Sequence, residues 1–580
     1  MDVPPPVTER LASVLTRKTL LLGLAAAWLL LTVAVAAAPY APMNDLADAT
    51  TNYIWTRENA RGVFHIPYGE WTYPQTQSSV IWYEGEYTVV NEKGPGFSLM
   101  IVPFHLLGAE KLFAPLLAGL AVFSTYLLGK RLLGWMAGFV GAVAVLVNLS
   151  VVVMWHRYYW TDAATMHLLV ASAALLVEAL FYANGRSLDP RSPSTPSRRD
   201  AFLALALSLL GGLALGGAIS TRYPVALVVL AFVAYLLGFT AIRAWPFFRR
   251  RELRASVRAL RPMALLLPFV LGLLLVLVPL MEYNTRYFGG PLASGYDATS
   301  LTRFDPAVGL APSNDSAIWL SSPVDGMANT LRNAVALAPI LVLRMPLLLL
   351  APLALWPLRK NPALALLVPW ILIALYTYLS LGWVARYARQ DLVPWEPRYF
   401  MPALPPIAIL GGWAVDHLAR GNRIFRAFRV PRTAWKSVAI AAVLLLPILL
   451  LGLVPAAAYL ANPTAGERPR GPGPGPTPVI VTTDQLAADP GAFTNRFVRL
   501  DDAVVVQETQ MGARVRSSGA SASVEVQLVD WPPGQRPTLS PGTTVDVQGL
   551  FRWAPPGAGG VRPLLLGVKW GTVDYLRVVP

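Results

Sequence analysis

Apolar runs of about twenty residues recur along most of this chain, each separated from the next by a polar connection. A helix of that length crosses the hydrocarbon core of a bilayer. In lipid every backbone amide must be satisfied inside its own segment, so such runs become helices or nothing. By this ruler about eleven spans are expected, near 19–39, 112–129, 134–153, 163–183, 201–219, 224–242, 263–281, 338–357, 363–381, 400–416 and 437–459. Phe97–Leu107 is too short to cross and is expected to lie along the interface. The connections test the count. With the N-terminus inside, the inner connections hold Lys130 and Arg131; Arg186 to Arg199; Arg243 to Arg261; Arg359 and Lys360; and Arg420 to Lys436. The alternating connections are poorer in Arg and Lys for their length, as the positive-inside rule requires. This parity puts the first loop, the connections near 154–162, 282–337 and 382–399, and the C-terminus on the outer side. The expected setting is a multi-pass protein of a cytoplasmic (inner) membrane.

Composition narrows what this membrane chain does. There is no cysteine, which removes disulfides, thiolate-bound zinc and thiol nucleophiles together. The formal charge is +15, but from Pro476 onward Arg plus Lys and Asp plus Glu number nine each. The excess therefore belongs to the membrane part and the linker, where it directs topology; it argues against a nucleic-acid partner. The first run ends in alanines but is longer than a signal core, and is read as a retained anchor.

The expected division is a cytoplasmic N-terminus, 1–18; a transmembrane domain, 19–460, with a large first outer loop, 40–96; a Pro/Gly linker, 461–478; and an extracytoplasmic β domain, 479–580. In that last region the pattern changes to period two, in FVRLDDAVVVQE, ASVEVQLVDW and TTVDVQGLFRW, with Gly/Pro turns between. About five strands after a short helical prelude resemble an OB-fold barrel. The fold class expected is thus mostly α and polytopic, followed by a small all-β domain.

Chemistry is expected on the outer side. A loop as long as 40–96 is uncommon unless it does something, and it carries Asp45, Asp48, Glu84, Glu86 and Glu92. Asp45, Asp48 and Asn52 share one face if the segment is helical. A carboxylate placed there suits removal of a proton from an attacking hydroxyl; the plainer alternative is that Asn44 and Asp45 open a helix. In NEKGPGF, Lys93 suits a lipid phosphate and Glu92 its orientation or a metal, against simple snorkelling by Lys93. In MWHRYYWTDAA, Asp162 stands at a helix start close after His156 and Arg157, with capping as its plainer role. Arg157, Arg222, Arg286, Arg344 and Arg398 fall at the outer ends of spans, where an ionisable group is costly without a partner. A departing phosphate needs such cations, and Arg344 and Arg398 are the best placed. Asp45, Glu92, His65 and His156 are side chains available to a divalent metal, although no spacing among them demands one.

These pieces occur in a familiar order. A first span and a long outer loop opening on an acid are followed by EKGPGFSL…PFHLLG, then HRYYWTDAATMHLLVASAALLVEAL, then PRYFMPALPPIAIL. The order resembles the GT-C class of polyprenyl-phosphate-sugar-dependent glycosyltransferases, most closely the branch of protein O-mannosyltransferases and lipid A aminoarabinose transferases, over roughly residues 15–460. The resemblance implies a catalytic or acceptor-orienting acid at Asp45, a second at Asp162, metal and lipid-phosphate roles for Glu92 and Lys93, and a phosphate-side pair at Arg398 and Tyr399. Asp48, Tyr53 and Tyr399 are further candidate substrate contacts, and Arg157, Arg222 and Arg344 candidate phosphate contacts. Two departures bear on acceptor and metal: Asn44-Asp45 stands where that branch has Asp-Glu, and Lys-Gly-Pro-Gly where it has Lys-Pro-Pro. The implied reaction moves a sugar from polyprenyl phosphate to an outer glycan, lipid or protein acceptor with inversion. The alternatives are a lipid-linked sugar flippase, which would favour an internal repeat and mid-membrane charges, and a non-catalytic envelope component.

Overall fold

The computed structural model describes residues 17–38, 47–67, 78–83, 86–190, 195–252, 259–293, 302–303, 323–380, 396–420, 434–461, 479–493, 497–509, 512–529, 539–553, 564–569 and 575–578. The chain divides into two compact units. The first comprises Met1–Ala41, Pro103–Leu280 and Ala317–Gly466; the second comprises Pro42–Val102, Met281–Ser316 and Glu467–Pro580.

In chain order the described α-helices of six or more residues are α1 (Arg17–Ala37), α2 (Ala47–Ala60), α3 (Gly96–Leu106), α4 (Phe113–Leu132), α5 (Trp135–Leu146), α6 (Leu149–His156), α7 (Thr161–Ala183), α8 (Arg198–Thr221), α9 (Val229–Arg249), α10 (Leu266–Phe288), α11 (Pro323–Arg344), α12 (Leu364–Leu379), α13 (Leu404–Arg420), α14 (Ala434–Ala461) and α15 (Thr483–Ala488). Among the described residues seven helices are long and apolar enough to cross a membrane, or eight if α5 and α6 count as one bent span. The expected count of eleven is not reached by this measure; the run expected at 437–459 lies in α14, part of whose side chains are outside the described residues, and two other runs are interrupted by helix breakers. The run expected at 134–153 bends by 54° between α5 and α6. At that break Asn148 caps α6, its Oδ1 accepting from the Ser150 and Val151 amides at 3.0 and 3.3 Å. Its Nδ2 donates to the Arg344 carbonyl, 2.5 Å away, which ties the break to the end of α11. The run expected at 338–357 stops at Arg344, because Pro346 cannot continue a helix and opens the short 3-10 turn Pro346–Leu349. The expected spans at 363–381 and 400–416 appear as the shorter α12 and α13.

Small residues let the first unit's helices approach closely. A Cβ on Gly138 would meet the Tyr126 carbonyl at 2.3 Å, so α4 and α5 touch through backbone. The Trp28 indole of α1 lies against Gly119 of α4 and donates to the Pro115 carbonyl at 2.9 Å. Leu22, Leu29, Leu30 and Val33 of α1 remain exposed, as expected of a face turned to lipid.

In the second unit the first loop is folded rather than open. Its strands β1 (His65–Pro67), β2 (Ser78–Tyr83) and β3 (Glu86–Asn91), with β4 (Thr302–Arg303), form a sheet in the order β1-β3-β2-β4. Trp55 of α2 packs on Ile66 and Val89 and donates through Nε1 to Ser78 at 3.0 Å. Tyr283 and Tyr287, at the end of α10, pack on Val90 beneath the same sheet. The chain leaves β3 through Gly94, whose φ of +77° suits glycine, and enters α3 directly.

The C-terminal strands are β5 (Val479–Ile480), β6 (Phe497–Thr509), β7 (Gly512–Ser517), β8 (Val524–Val529), β9 (Thr544–Trp553), β10 (Leu564–Lys569) and β11 (Tyr575–Val578). They pair in the order β11-β9-β10-β8-β7-β6-β5, and a further β9–β6 pairing closes five of them, β6 to β10, into a ring. β8 and β10 run parallel; the other four ring pairings are antiparallel. The long β6 serves two neighbours because it bends: its register against β9 shifts between Leu500 and Ala503, and Asp502 there has φ +49°. Val498, Leu500, Val505, Val515, Val526, Val547 and Phe551 fill the interior.

Candidate functional site

The charged centre of the first unit forms where three helix ends are distorted by their own sequence. Asp162 lies in the first turn of α7, whose N-cap, Trp160, contributes no side-chain cap. Arg222 ends α8 in an extended conformation (φ −152°, ψ 106°), two residues before Pro224. Arg398 belongs to the 3-10 segment Glu396–Ala403, where Pro397 and Pro402 delay the start of α13.

These three side chains meet. Arg222 Nε stands 2.7 Å from Asp162 Oδ1 while its Nη2 donates to Oδ2 at 2.9 Å. Arg398 Nε stands 3.2 Å from the same Oδ2. Asp162 is only 2% exposed and Arg398 5%. Capping, the plainer role expected for Asp162, is thus not what its side chain does; both oxygens face guanidinium groups. The aromatic frame is dense. Arg398 lies 4.3 Å over the Trp160 ring and 4.9 Å over Tyr399, and donates to the Tyr399 hydroxyl at 3.0 Å. Arg222 also lies over the Tyr399 ring, at 4.8 Å, and its Nη1 reaches the Tyr378 hydroxyl at 3.4 Å. Two cations therefore share one carboxylate inside a buried, aromatic-walled cluster.

Beside it in sequence, His156 and Arg157 close α6. Both are buried, and both meet Tyr459 near the end of α14: His156 Nδ1 lies 2.8 Å from its hydroxyl and Arg157 Nε donates to it at 3.0 Å. Tyr459, Tyr378 and Trp160 were not singled out by the sequence reading. The available signal was position: each is an aromatic with a polar edge at the end of an apolar run. Farther along α7, Trp155 donates to His167 Nε2 at 3.1 Å, and Thr165 and Thr221 join hydroxyls at 2.8 Å, bracing α7 against α6 and α8.

Arg344 does not belong to this cluster. It is half-buried at the end of α11, and its Nε has no hydrogen-bond partner among the described residues. It borders a small surface groove that Val147, Asn148, Leu347 and Leu451 also line.

The remaining candidates lie in the second unit. Asp45 falls outside the described residues, and Asp48 lies on α2 with its side chain likewise outside them. Asn52 is buried on α2, and Tyr53 lies under the Arg57 guanidinium at 5.8 Å. Glu92 and Lys93 are both buried in the turn between β3 and α3, which differs from the exposed, snorkelling alternative for Lys93. That turn is rigid: Asn91 Oδ1 accepts from the Lys93 amide at 3.1 Å, and Asn59 of α2 donates to Ser98 of α3 at 2.7 Å. Arg286 donates to the Tyr83 hydroxyl, and His65 Nδ1 lies 3.1 Å from the Tyr287 hydroxyl. Among the described residues no three His, Asp or Glu side chains gather as metal ligands.

No family model matches the sequence, and no curated protein matches it. Solved structures similar to the chain include the apo oligosaccharyltransferase of Archaeoglobus fulgidus, with 12% identity and a TM-score of 0.42 over 78% of this chain and 57% of that one. The same archaeal enzyme, AglB, in complex with an inhibitory peptide and a dolichol-phosphate matches with 12% identity and a TM-score of 0.38, over 76% of this chain and 56% of that one. The chain thus spans little more than half the length of the archaeal enzyme, whereas it covers 99% of ArnT from Cupriavidus metallidurans bound to undecaprenyl phosphate, with 87% of its own length, 16% identity and a TM-score of 0.39.

Proposed function

We propose that this chain is a GT-C-type membrane glycosyltransferase that moves a sugar from a polyprenyl-phosphate donor to an acceptor on the outer side, with inversion. The observation that carries the reading is the meeting of Arg222 and Arg398 at the buried Asp162. Arginines gathered at the ends of membrane helices suit an anionic group of the substrate. A phosphate diester in the donor, becoming a monoester on departure, is such a group, and guanidinium forks match its oxygens.

In this reading the acceptor oxygen or nitrogen attacks the anomeric carbon, and the bond from that carbon to the phosphate oxygen breaks. The acceptor proton passes to Asp45, and the growing phosphate charge falls to Arg222 and Arg398, with Arg157, Arg344 and Lys93 as further phosphate-side cations. Asp162, with both oxygens against arginines, holds the cations in place rather than taking a proton. Tyr399 spaces the two guanidiniums; Asp48 and Tyr53 serve the acceptor. Glu92 and His156 are the side chains left for a divalent metal. The ring of β6 to β10, with its parallel β8–β10 pair, is read as an OB-like barrel that recruits the acceptor. The sites face outward in an inner membrane with the N-terminus inside.

Donor binding tests this directly. Polyprenyl phosphate is expected to raise the melting temperature of the purified protein, whereas the matching polyprenol is not. Arg398→Gln, which keeps the Asp162–Arg222 pair, is expected to fold and to bind polyprenyl phosphate roughly tenfold more weakly, a loss of ~1.4 kcal/mol. Equal stabilisation by phosphate and alcohol would refute the reading.

A further inference from the structure

The Arg-rich ends of the spans mostly neutralise their own cations. Arg131 at the end of α4 makes a two-armed pair with Glu178 of α7, at 2.6 and 3.0 Å, and lies 3.6 Å over the Phe181 ring. Arg186 pairs with Asp200 at 3.1 Å. Arg243, on the closing turns of α9, does not follow this pattern. It is 6% exposed, and among the described residues its Nε and Nη1 are buried without a hydrogen-bond partner. Arg261, of the same sign, opens the 3-10 turn Arg261–Leu265, which packs against α9. Between them the sequence adds Arg249, Arg250, Arg251, Arg254 and Arg258 against the single acid Glu252. Residues 253–258 contain no acid, so that stretch offers Arg243 no carboxylate.

A guanidinium buried without a counter-ion is strongly unfavourable. Arg243 is buried in this way with the exposed Arg261 on the adjoining turn, and an anion able to accept several N–H donors at once, which is the chemistry of a phosphate, suits the two together. The surroundings decide its source. Trp245 and Phe248 are 67% and 51% exposed on the same stretch of α9, beside exposed Ile242 and Leu260. Exposed Trp among apolar side chains at the end of a span belongs to the headgroup level of a bilayer, and a polybasic stretch at that level draws anionic lipid. A free phosphate would gain nothing from this apolar rim. We propose that Arg243 and Arg261 hold the phosphate of an anionic phospholipid headgroup at the Arg-rich end of α9, with the lipid's apolar part against Trp245 and Phe248. The site is distinct from the Asp162 cluster, since Arg222 precedes the other end of α9, ~20 Å away along the helix.

The test uses the full-length protein in detergent, titrated with phosphatidylglycerol, phosphatidylcholine or sodium phosphate and followed by native mass spectrometry and melting temperature. Phosphatidylglycerol is expected to be retained and to stabilise; the other two are not. Arg243→Gln is expected to weaken phosphatidylglycerol binding by about tenfold, and Arg261→Gln by about fivefold, while Arg186→Gln, at a cation already paired, changes little. Should Arg243→Gln not fold, the exposed Arg261 decides. Equal retention of the two phospholipids, equal stabilisation by sodium phosphate, or wild-type binding by the Arg261→Gln protein would overturn the proposal.

Discussion

Asp162 is the residue on which the first unit's charged centre depends. Removing its charge takes from Arg222 and Arg398 the carboxylate they share, and breaking a buried pair in this way costs about 3–5 kcal/mol. Asp162→Asn is therefore expected to lower the melting temperature sharply, and Asp162→Asn combined with Arg398→Gln to recover part of that loss. A double-mutant cycle on purified protein measures the coupling. Additive effects would mean that the two groups do not share the cluster. Each of these ionisable residues stands out in the sequence as a charge at the end of an apolar run. Their meeting does not, because 162, 222 and 398 are far apart in the chain and only the packing of three distorted helix ends brings them together. Tyr459 was less legible still: it is one tyrosine in an alanine-rich stretch, and its hydroxyl matters only because His156 and Arg157 reach it.

At the level of elements, close helix approach through glycine makes a sharp prediction. A Cβ on Gly212 of α8 would stand 1.9 Å from the Phe269 carbonyl of α10, and one on Gly272 2.1 Å from the Leu209 carbonyl. Backbone cannot yield as a side chain can, so Gly212→Ala is expected to cost ~1–3 kcal/mol and lower the melting temperature. Gly23→Ala on α1, with nothing within 4 Å, is expected to be neutral or slightly stabilising. In the C-terminal domain, α15 is fixed by Asp484, whose carboxylate accepts from the Ala522 and Ser521 amides at 2.7 and 2.9 Å. Those backbone bonds hold its pKa below the ordinary 3.8. The contribution is thus complete above that value and disappears as pH falls through the lower, folded one. Amide exchange at Ser521 and Ala522 is expected to stay slow down to about pH 4 and to quicken below it, whereas in Asp484→Asn it is faster already at neutral pH. Unchanged exchange in that variant would show that the α15 contact does not hold the turn. The positions of the apolar helices were readable from run length and hydropathy. Their breaks at Asn148 and Pro346 were readable only in principle: an Asn or a Pro inside an apolar run is weak until a partner such as the Arg344 carbonyl shows where the helix gives way.

Across the whole molecule, the sequence separates an apolar, Arg-edged membrane part from a neutral β part, and the structure adds that the first loop holds a sheet of its own. That sheet was not legible, because its strands are short and interrupted, and β4 comes from a segment more than two hundred residues later. The proposed transfer from a lipid-linked phosphate draws on the arginines that meet at Asp162. The most direct measurement is transfer itself: purified protein in liposomes, a polyprenyl-phosphate donor with labelled sugar, and outer-membrane or envelope extract as acceptor. The wild-type protein is expected to move label to the acceptor, and Asp45→Asn and Arg398→Gln to reduce that rate by about a hundredfold or more while remaining folded. Label that never leaves the donor lipid, or transfer at the wild-type rate by both variants, would contradict it.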